Sequence, residues 1–346
     1  MPTIWFALVA LMITAYVVLD GFDLGVGALH LFLGKSDAER QLLIRTIGPV
    51  WDANEVWLIA GGGTLFFSFP LLYASSFSGF YLPLTMVLWL LVFRGIGVEL
   101  RGHVQSDVWR GLFDGCFAIG STLLAVFYGA ALANVVRGVP IGNDGYFFEP
   151  LWTDWRVGKD TGILDWYTVP SGILALLALM LHGCNYIALK TSGDLQLRAR
   201  KYARRLWLPV VLLTAFGIPA TVAVVPHGLQ NYSDHPLFFV VPALVVASLV
   251  LMLWMVVNGN DRRAFLSSCL YLVAMLSGAA IAQYPVLLRS SADAANNITI
   301  YNAAAGHYSM SVGLIWWGCG MVLAIGYFVF VYRMFRGKVT ISAGHG

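Results

Sequence analysis

The chain has 346 residues, 59% of them hydrophobic and 11% charged, with a mean hydropathy of +0.75 and a formal net charge of +3 at pH 7. Soluble domains lie near about 45–50% apolar and 25% charged, so a soluble enzyme is excluded and a membrane protein is indicated. The weak net charge gives no footprint for nucleic acid.

The N-terminus, MPTIWFALVALM, lacks a basic leader region and a small-residue cleavage site, so the first apolar run is expected to stay in the mature protein. Runs able to supply about 20 apolar residues follow in chain order. They lie near 4–33, 48–74, 78–100, 111–136, 166–189, 206–226, 236–258, 264–287 and 309–332. The expected architecture is all-α and integral to the membrane, with about nine transmembrane helices. Residues 1–138 form a first four-helix bundle, 139–165 an extracytoplasmic loop, 166–290 a second bundle, and 291–346 a ninth, peripheral helix with a cytoplasmic tail. Tryptophans such as Trp5, Trp51, Trp57, Trp89, Trp109, Trp152 and Trp155 gather near span ends, where amphipathic rings favour the headgroup layer. Cys116, Cys184, Cys269 and Cys319 sit in apolar runs without metal-ligand spacing and are expected to be small buried hydrophobes.

Lys and Arg set orientation. With the N-terminus outside, the inner segments hold Lys35, Arg40, Arg45, Arg101, Arg110, Lys190, Arg198, Arg200, Lys201, Arg204, Arg205, Arg262, Arg263, Arg333, Arg336 and Lys338. Only Arg137, Arg156, Lys159 and Arg289 remain outside, and Arg94 falls within a span. This asymmetry predicts a cytoplasmic C-terminus and an odd number of spans. A faint repeat relates Asp20-Gly21-Phe22-Asp23 in the first span to His182-Gly183-Cys184-Asn185 in the fifth, each followed by a polar stretch. Four spans separate the two, so the halves are expected to run in parallel.

Ionisable residues in hydrocarbon cost several kcal/mol and mark function. Asp20 and Asp23 share one face of the first span by their i, i+3 spacing, as do Asp52 and Glu55 on the second, and Arg94 lies late in the third. At 1.5 Å per residue, Asp20 and Arg94 both lie about 24 Å from the outer surface, and Asp52 and Glu55 about 6–11 Å from the inner one. One layer therefore gathers Asp20, Asp23, Asp52, Glu55 and Glu99 against a single internal base. Two readings follow: an ion-pair network that fixes helix packing, and a set of carboxyl groups that carries protons. His103, His227, His235, His307 and His345 fall in loops or tails, leaving His30 and His182 within spans and without a paired axial arrangement for haem. Gly21-xxx-Gly25 and Gly61-Gly62-Gly63 suit close helix approach.

The stretches GFDLGVG (21–27), GPVWDANEVWL (48–58), FSGFY (77–81) and FRGIGVELR (93–101) resemble signature segments of subunit II of cytochrome bd-type quinol oxidases. The likeness in hydropathy covers nearly the whole chain, and the motifs cover the first third. Ala53 departs from the glycine common there. The resemblance implies a heterodimer that couples quinol oxidation to reduction of oxygen to water. Two b-type haems and one d-type haem would reside in subunit I, with none ligated by this chain. It also implies a bacterial or archaeal cytoplasmic membrane, contacts with quinol and lipid, room for a structural quinone, and a place for a small single-span accessory subunit. By position, Asp23 and Arg94 match residues linked to haem environment and assembly, with Trp51 beside them, and Asp52 matches a carboxylate at a proton-channel entrance. The alternative from another class is a proton-coupled secondary transporter, against which the polar layer is displaced from the midplane and the Gly/Pro interruptions do not pair between halves.

Overall fold

The computed structural model describes residues 1–159 and 161–340; His345 lies outside them. The helices are α1 (Pro2–Leu33), α2 (Asp37–Ile47), α3 (Trp51–Ser68), α4 (Pro70–Gly79), α5 (Tyr81–Leu100) and α6 (Asp107–Arg137). In the second half come α7 (Thr168–Lys190), α8 (Gly193–Val224), the short α9 (Gln230–Asp234), α10 (Val240–Val257), α11 (Asp261–Gln283) and α12 (His307–Met334). A two-stranded ribbon, β1 (Val286–Leu288) with β2 (Ile298–Thr299), precedes α12.

Eight of these helices are long and apolar enough to cross a membrane, and the chain is a multi-pass membrane protein. The run expected at 48–74 is broken. Phe69 precedes Pro70 and takes a non-helical conformation, as the proline ring disfavours helix at the residue before it, so α3 stops and α4 starts afresh. α3 still runs the depth of the molecule beside α1: Asn54 meets Leu19 and Asp23, Thr64 meets Met12, and Phe67 meets Trp5.

The runs expected at 166–189 and 206–226 leave the basic stretch 198–205 between spans, yet the structure has helix there. The segment forms the first turns of α8, because Leu195, Ala199 and Ala203 recur every four residues and bury one face while Lys201, Arg204 and Arg205 point out. α2 begins at a reciprocal cap: Ser36 Oγ accepts the Glu39 N–H, and the Glu39 carboxylate accepts the Lys35 N–H at 2.8 Å. Glu39 also accepts a hydrogen bond from Arg198, tying α2 to α8; burial raises its pKa, but these bonds outweigh it and hold the carboxyl below its usual range.

In the first half α1, α3, α5 and α6 pack together, and in the second α7, α8, α10 and α11 do so. The halves meet where α1 crosses α7. A Cβ on Gly183 would lie 2.5 Å from the Gly25 carbonyl carbon, so glycine at both positions lets the backbones touch. A Cβ on Gly62 or Gly63 would meet nothing within 4 Å among the described residues. α12 is peripheral, with only Met310 and Val331 buried, and rests Phe328 on Trp57. Cys184 is buried as expected; Cys319 differs, exposed on α12 because that helix has so few neighbours.

Candidate functional site

Three buried polar clusters stand within the apolar helix packing. The first is the layer around Arg94. Asp20, Asp23 and Arg94 are fully buried. Arg94 Nη1 donates to Asp20 Oδ2 at 2.8 Å and Nη2 donates to Asp20 Oδ1, a two-pronged pairing of guanidinium and carboxylate. Glu55 Oε2 stands 3.8 Å from Nη1, and the Trp51 ring lies 5.9 Å from the guanidinium carbon. Arg94 therefore takes Asp20 rather than Asp23 as its partner. Asp23, almost a full turn further along α1, faces α3, where Asn54 Nδ2 donates to its Oδ2 at 2.7 Å. Its other oxygen, Oδ1, is buried with no hydrogen-bond partner among the described residues.

Asn54 is held in turn. Its Nδ2 also reaches the Leu19 carbonyl at 3.1 Å, and its Oδ1 accepts from the Tyr332 hydroxyl at 2.8 Å. Asp52 and Glu99, expected in this layer, are exposed on α3 and α5. Successive residues turn by about 100° on a helix, so Asp52 faces away from Asn54 and lies on the side of Glu55.

The second cluster surrounds Asp114, a lone acid inside the fourth apolar run. It accepts from Arg101 Nε at 2.5 Å and Arg40 Nη1 at 3.2 Å, and sits 2.6 Å from His30 Nε2. Arg101 continues to Asp37 at 2.6 Å and Gln41 at 2.9 Å, so the ends of α1, α5 and α6 are clamped to α2. A carboxylate four residues into an apolar run was the available signal for this hub. Its partners were not legible, because they come from segments that fold back over the helix ends.

The third lies at the opposite end of α6. Arg137 donates to Asp165, Glu149 and, at 2.6 Å, Asn134 Oδ1, while Asp165 Oδ1 accepts the N–H groups of Tyr167 and Thr168 at the start of α7. The 139–165 segment is thereby fastened across two helices. Burial outweighs the attraction of Arg137 and pushes the Glu149 carboxyl up to about 7.

His182 is a packing residue: Nδ1 meets Ser268 Oγ at 2.7 Å, Nε2 meets the Val18 carbonyl at 3.0 Å, and the ring stacks on Phe265. Both in-span histidines thus commit Nε2 to partners in this chain. No group of three or more His, Cys, Asp or Glu side chains among the described residues is arranged to hold a metal ion.

The arrangement can neutralise one carboxylate within the membrane layer and leave a second hydrogen-bonded but without a cation. Known proteins carry the same frame. The chain is 30% identical to the Escherichia coli K12 protein named cytochrome bd-I ubiquinol oxidase subunit 2, covering 97% of this chain and 94% of that one. It is 32% identical to cytochrome bd ubiquinol oxidase subunit 2 of Bacillus subtilis, covering 97% and 96%. In fold it matches a chain of the bd oxidase from Geobacillus thermodenitrificans with a TM-score of 0.77 and 16% identity, over 96% of this chain and 98% of that one. Residues 1–335 match the family described as cytochrome bd terminal oxidase subunit II, and the chain belongs to that family.

Proposed function

We propose that this chain is the haem-free subunit of a quinol-oxidising, oxygen-reducing complex, that it braces a haem-bearing subunit I, and that it conducts cytoplasmic protons toward it. The observation that carries the proton role is the division of labour between two buried acids. Asp20 is matched by Arg94, whereas Asp23 has a buried oxygen to spare and no cation of its own. A purely structural network would favour pairing each buried acid with a base.

In this reading the protein crosses the cytoplasmic membrane nine times, with α3 as the ninth crossing, its N-terminus outside and its C-terminus inside. The halves 1–138 and 166–290 are duplicated bundles, and 139–165 lies outside. Asp52 is an entrance: exposed in the first turn of α3, it shares a side with Glu55, which stands 3.8 Å from Arg94 and so leads toward Asp20. Arg94, Trp51, Asp23 and Glu99 shape the environment of the partner's haems, two of b type and one of d type. A groove of about 540 Å³ between α1 and α11, with Phe6, Leu11, Asn231 and His235 among its lining residues, suits the apolar tail of a quinone or a lipid. A small single-span accessory subunit would find unoccupied apolar surface on α12, where Trp316 and Leu323 are exposed.

The test is Asp52→Asn in the purified two-subunit complex. Asn keeps the shape of Asp but cannot exchange a proton, so the haem spectrum is expected to stay normal while quinol-dependent oxygen uptake slows by roughly tenfold if this is the main entrance. Wild-type turnover across pH 6 to 8 with full haem content would return Asp52 to a helix-start role.

A further inference from the structure

At the basic end, the chain beyond α12 bends back over the end of α7. Lys190 Nζ donates to the Phe335 carbonyl at 2.8 Å, and the Val339 N–H donates to the Lys190 carbonyl at 2.7 Å, so residues 335–339 form a strap. The strap and the ends of α2, α7 and α12 enclose a cavity of about 60 Å³ whose walls include Arg45, Val50, Tyr186, Lys190, Tyr332 and Val339. One water needs about 10–15 Å³ of such space, so the cavity has room for about four, roughly the bulk of one tetrahedral phosphate.

The charge of this cavity is one-sided. Arg45 and Lys190 line it, and no Asp or Glu does. The segments that build it, 44–51, 184–193 and 328–340, contain no acid and add Arg333, Arg336 and Lys338. Lys190 is half-buried and forms no ion pair among the described residues. An ammonium has three hydrogens to donate. One goes to the Phe335 carbonyl, and the Tyr186 ring lies 5.9 Å from Nζ, which leaves two for a ligand. The tyrosine hydroxyls direct their hydrogens elsewhere, Tyr186 to the Thr46 carbonyl at 2.9 Å and Tyr332 to Asn54 Oδ1 at 2.8 Å. Recognition therefore falls to the cations, and the ligand they suit is an anion.

α7 and α12 are both long and apolar enough to cross a membrane, and they end at Lys190 and Met334, so the cavity lies where spanning helices leave the hydrocarbon. Basic pockets between membrane helices at that level suit phosphate headgroups. Val50 and Val339 in the wall, with the exposed Phe335 ring, add apolar surface for the carbon atoms next to such a group. We propose that the cavity under the 335–339 strap binds a phosphate-bearing anion, the headgroup of an anionic phospholipid in the adjoining leaflet or free phosphate, with Lys190 and Arg45 as its cations. A phosphate held there bridges the end of α7 to α2 and fastens the strap over both. The site is separate from the acids around Arg94 and does not depend on the proton-path reading.

The experiment uses the purified two-subunit complex in detergent, with haem content as the check on assembly. Trypsin cuts after Arg and Lys, so the exposed Arg336 and Lys338 report on the strap, and the exposed Arg156 in the 139–165 segment is the internal reference. Phosphatidylglycerol is titrated in mixed micelles with phosphatidylcholine as the net-neutral control, and inorganic phosphate is titrated separately. Cutting in the strap is expected to slow saturably relative to cutting at Arg156. Protection by phosphatidylglycerol alone identifies a lipid headgroup as the ligand, and protection by inorganic phosphate identifies the free anion. Lys190→Gln removes the charge and should weaken the apparent affinity by about tenfold or more, the scale of one lost charge-assisted hydrogen bond. Val339→Phe fills the cavity, keeps the backbone bond to Lys190 and should abolish the protection; it serves if the lysine variant fails to assemble. Strap cutting that neither probe slows, or that either slows equally in Val339→Phe, overturns the site. Equal protection by phosphatidylcholine overturns it as well, because recognition would then not rest on charge.

Discussion

Asp20-Gly21-Phe22-Asp23 on α1 and His182-Gly183-Cys184-Asn185 on α7 occupy matching places in the two halves and meet each other at the helix crossing, yet they do different work. On α1 the two polar positions are carboxylic acids, one matched by Arg94 and the other held by Asn54. On α7 they are a histidine and an amide: His182 is absorbed by Ser268, the Val18 carbonyl and the Phe265 ring, and Asn185 is buried nearby. The backbones come together at Gly25 on α1, just past the two acids, and at Gly183 on α7, between the two polar residues. Only one half places carboxylic acids at that depth, so the second half reads as scaffold and the first as the half that holds charge.

The largest expected effect comes from removing the charge on which the first half depends. Arg94→Leu leaves the Asp20 carboxylate buried without its counter-charge, at a cost of about 3–5 kcal/mol. Assembly with subunit I should fail or lose haem, read as absorbance per complex after purification. A fully assembled Arg94→Leu complex would show that Asp20 does not need its partner.

The crossing itself is next. Gly183→Ala places a methyl 2.5 Å from the backbone of Gly25, so the helices must part at an overpacking cost of about 1–3 kcal/mol. Lower thermal stability with unchanged turnover per assembled complex is expected, since α7 supplies packing. A selective loss of turnover would erase the distinction between the halves.

Much of this frame was legible in the sequence for simple reasons. A 20-residue apolar run leaves few alternatives to a spanning helix, and counting 1.5 Å per residue brought Asp20 level with Arg94, which the structure joins. The counting could not place side chains around the helix, so it grouped exposed Asp52 and Glu99 with buried Asp23. Tyr332 and Asn54 are 278 positions apart, and no local pattern announces such a contact. Phe69-Pro70 carried its own warning of a break, hidden because hydrophobicity continues through it. The strand ribbon and the Arg137 cluster depend on loops, where periodicity carries no signal.

The smallest effect is expected at that cluster, where a buried arginine again meets two carboxylates but at the opposite end of α6. Glu149 moves from a usual value of 4.5 to about 7, so the fold binds more protons than the unfolded chain between these values. The fastening of residues 139–165 is therefore firm below about pH 4.5 and loosens as pH rises through 7. Limited proteolysis of the loop should accelerate over this window in the wild type and stay flat in Glu149→Gln. Equal pH dependence in both would assign the change to another group.

The distinction between a charge-handling half and a scaffold half comes down to Asp23. Asp23→Asn preserves the size of the side chain and its place beside Asn54 while removing the ability to take up a proton. Measured in the purified complex with its haem complement confirmed by spectrum, quinol-dependent oxygen uptake is expected to fall by about tenfold or more. Unchanged uptake across pH 6 to 8 in a fully haem-loaded Asp23→Asn complex would contradict the account.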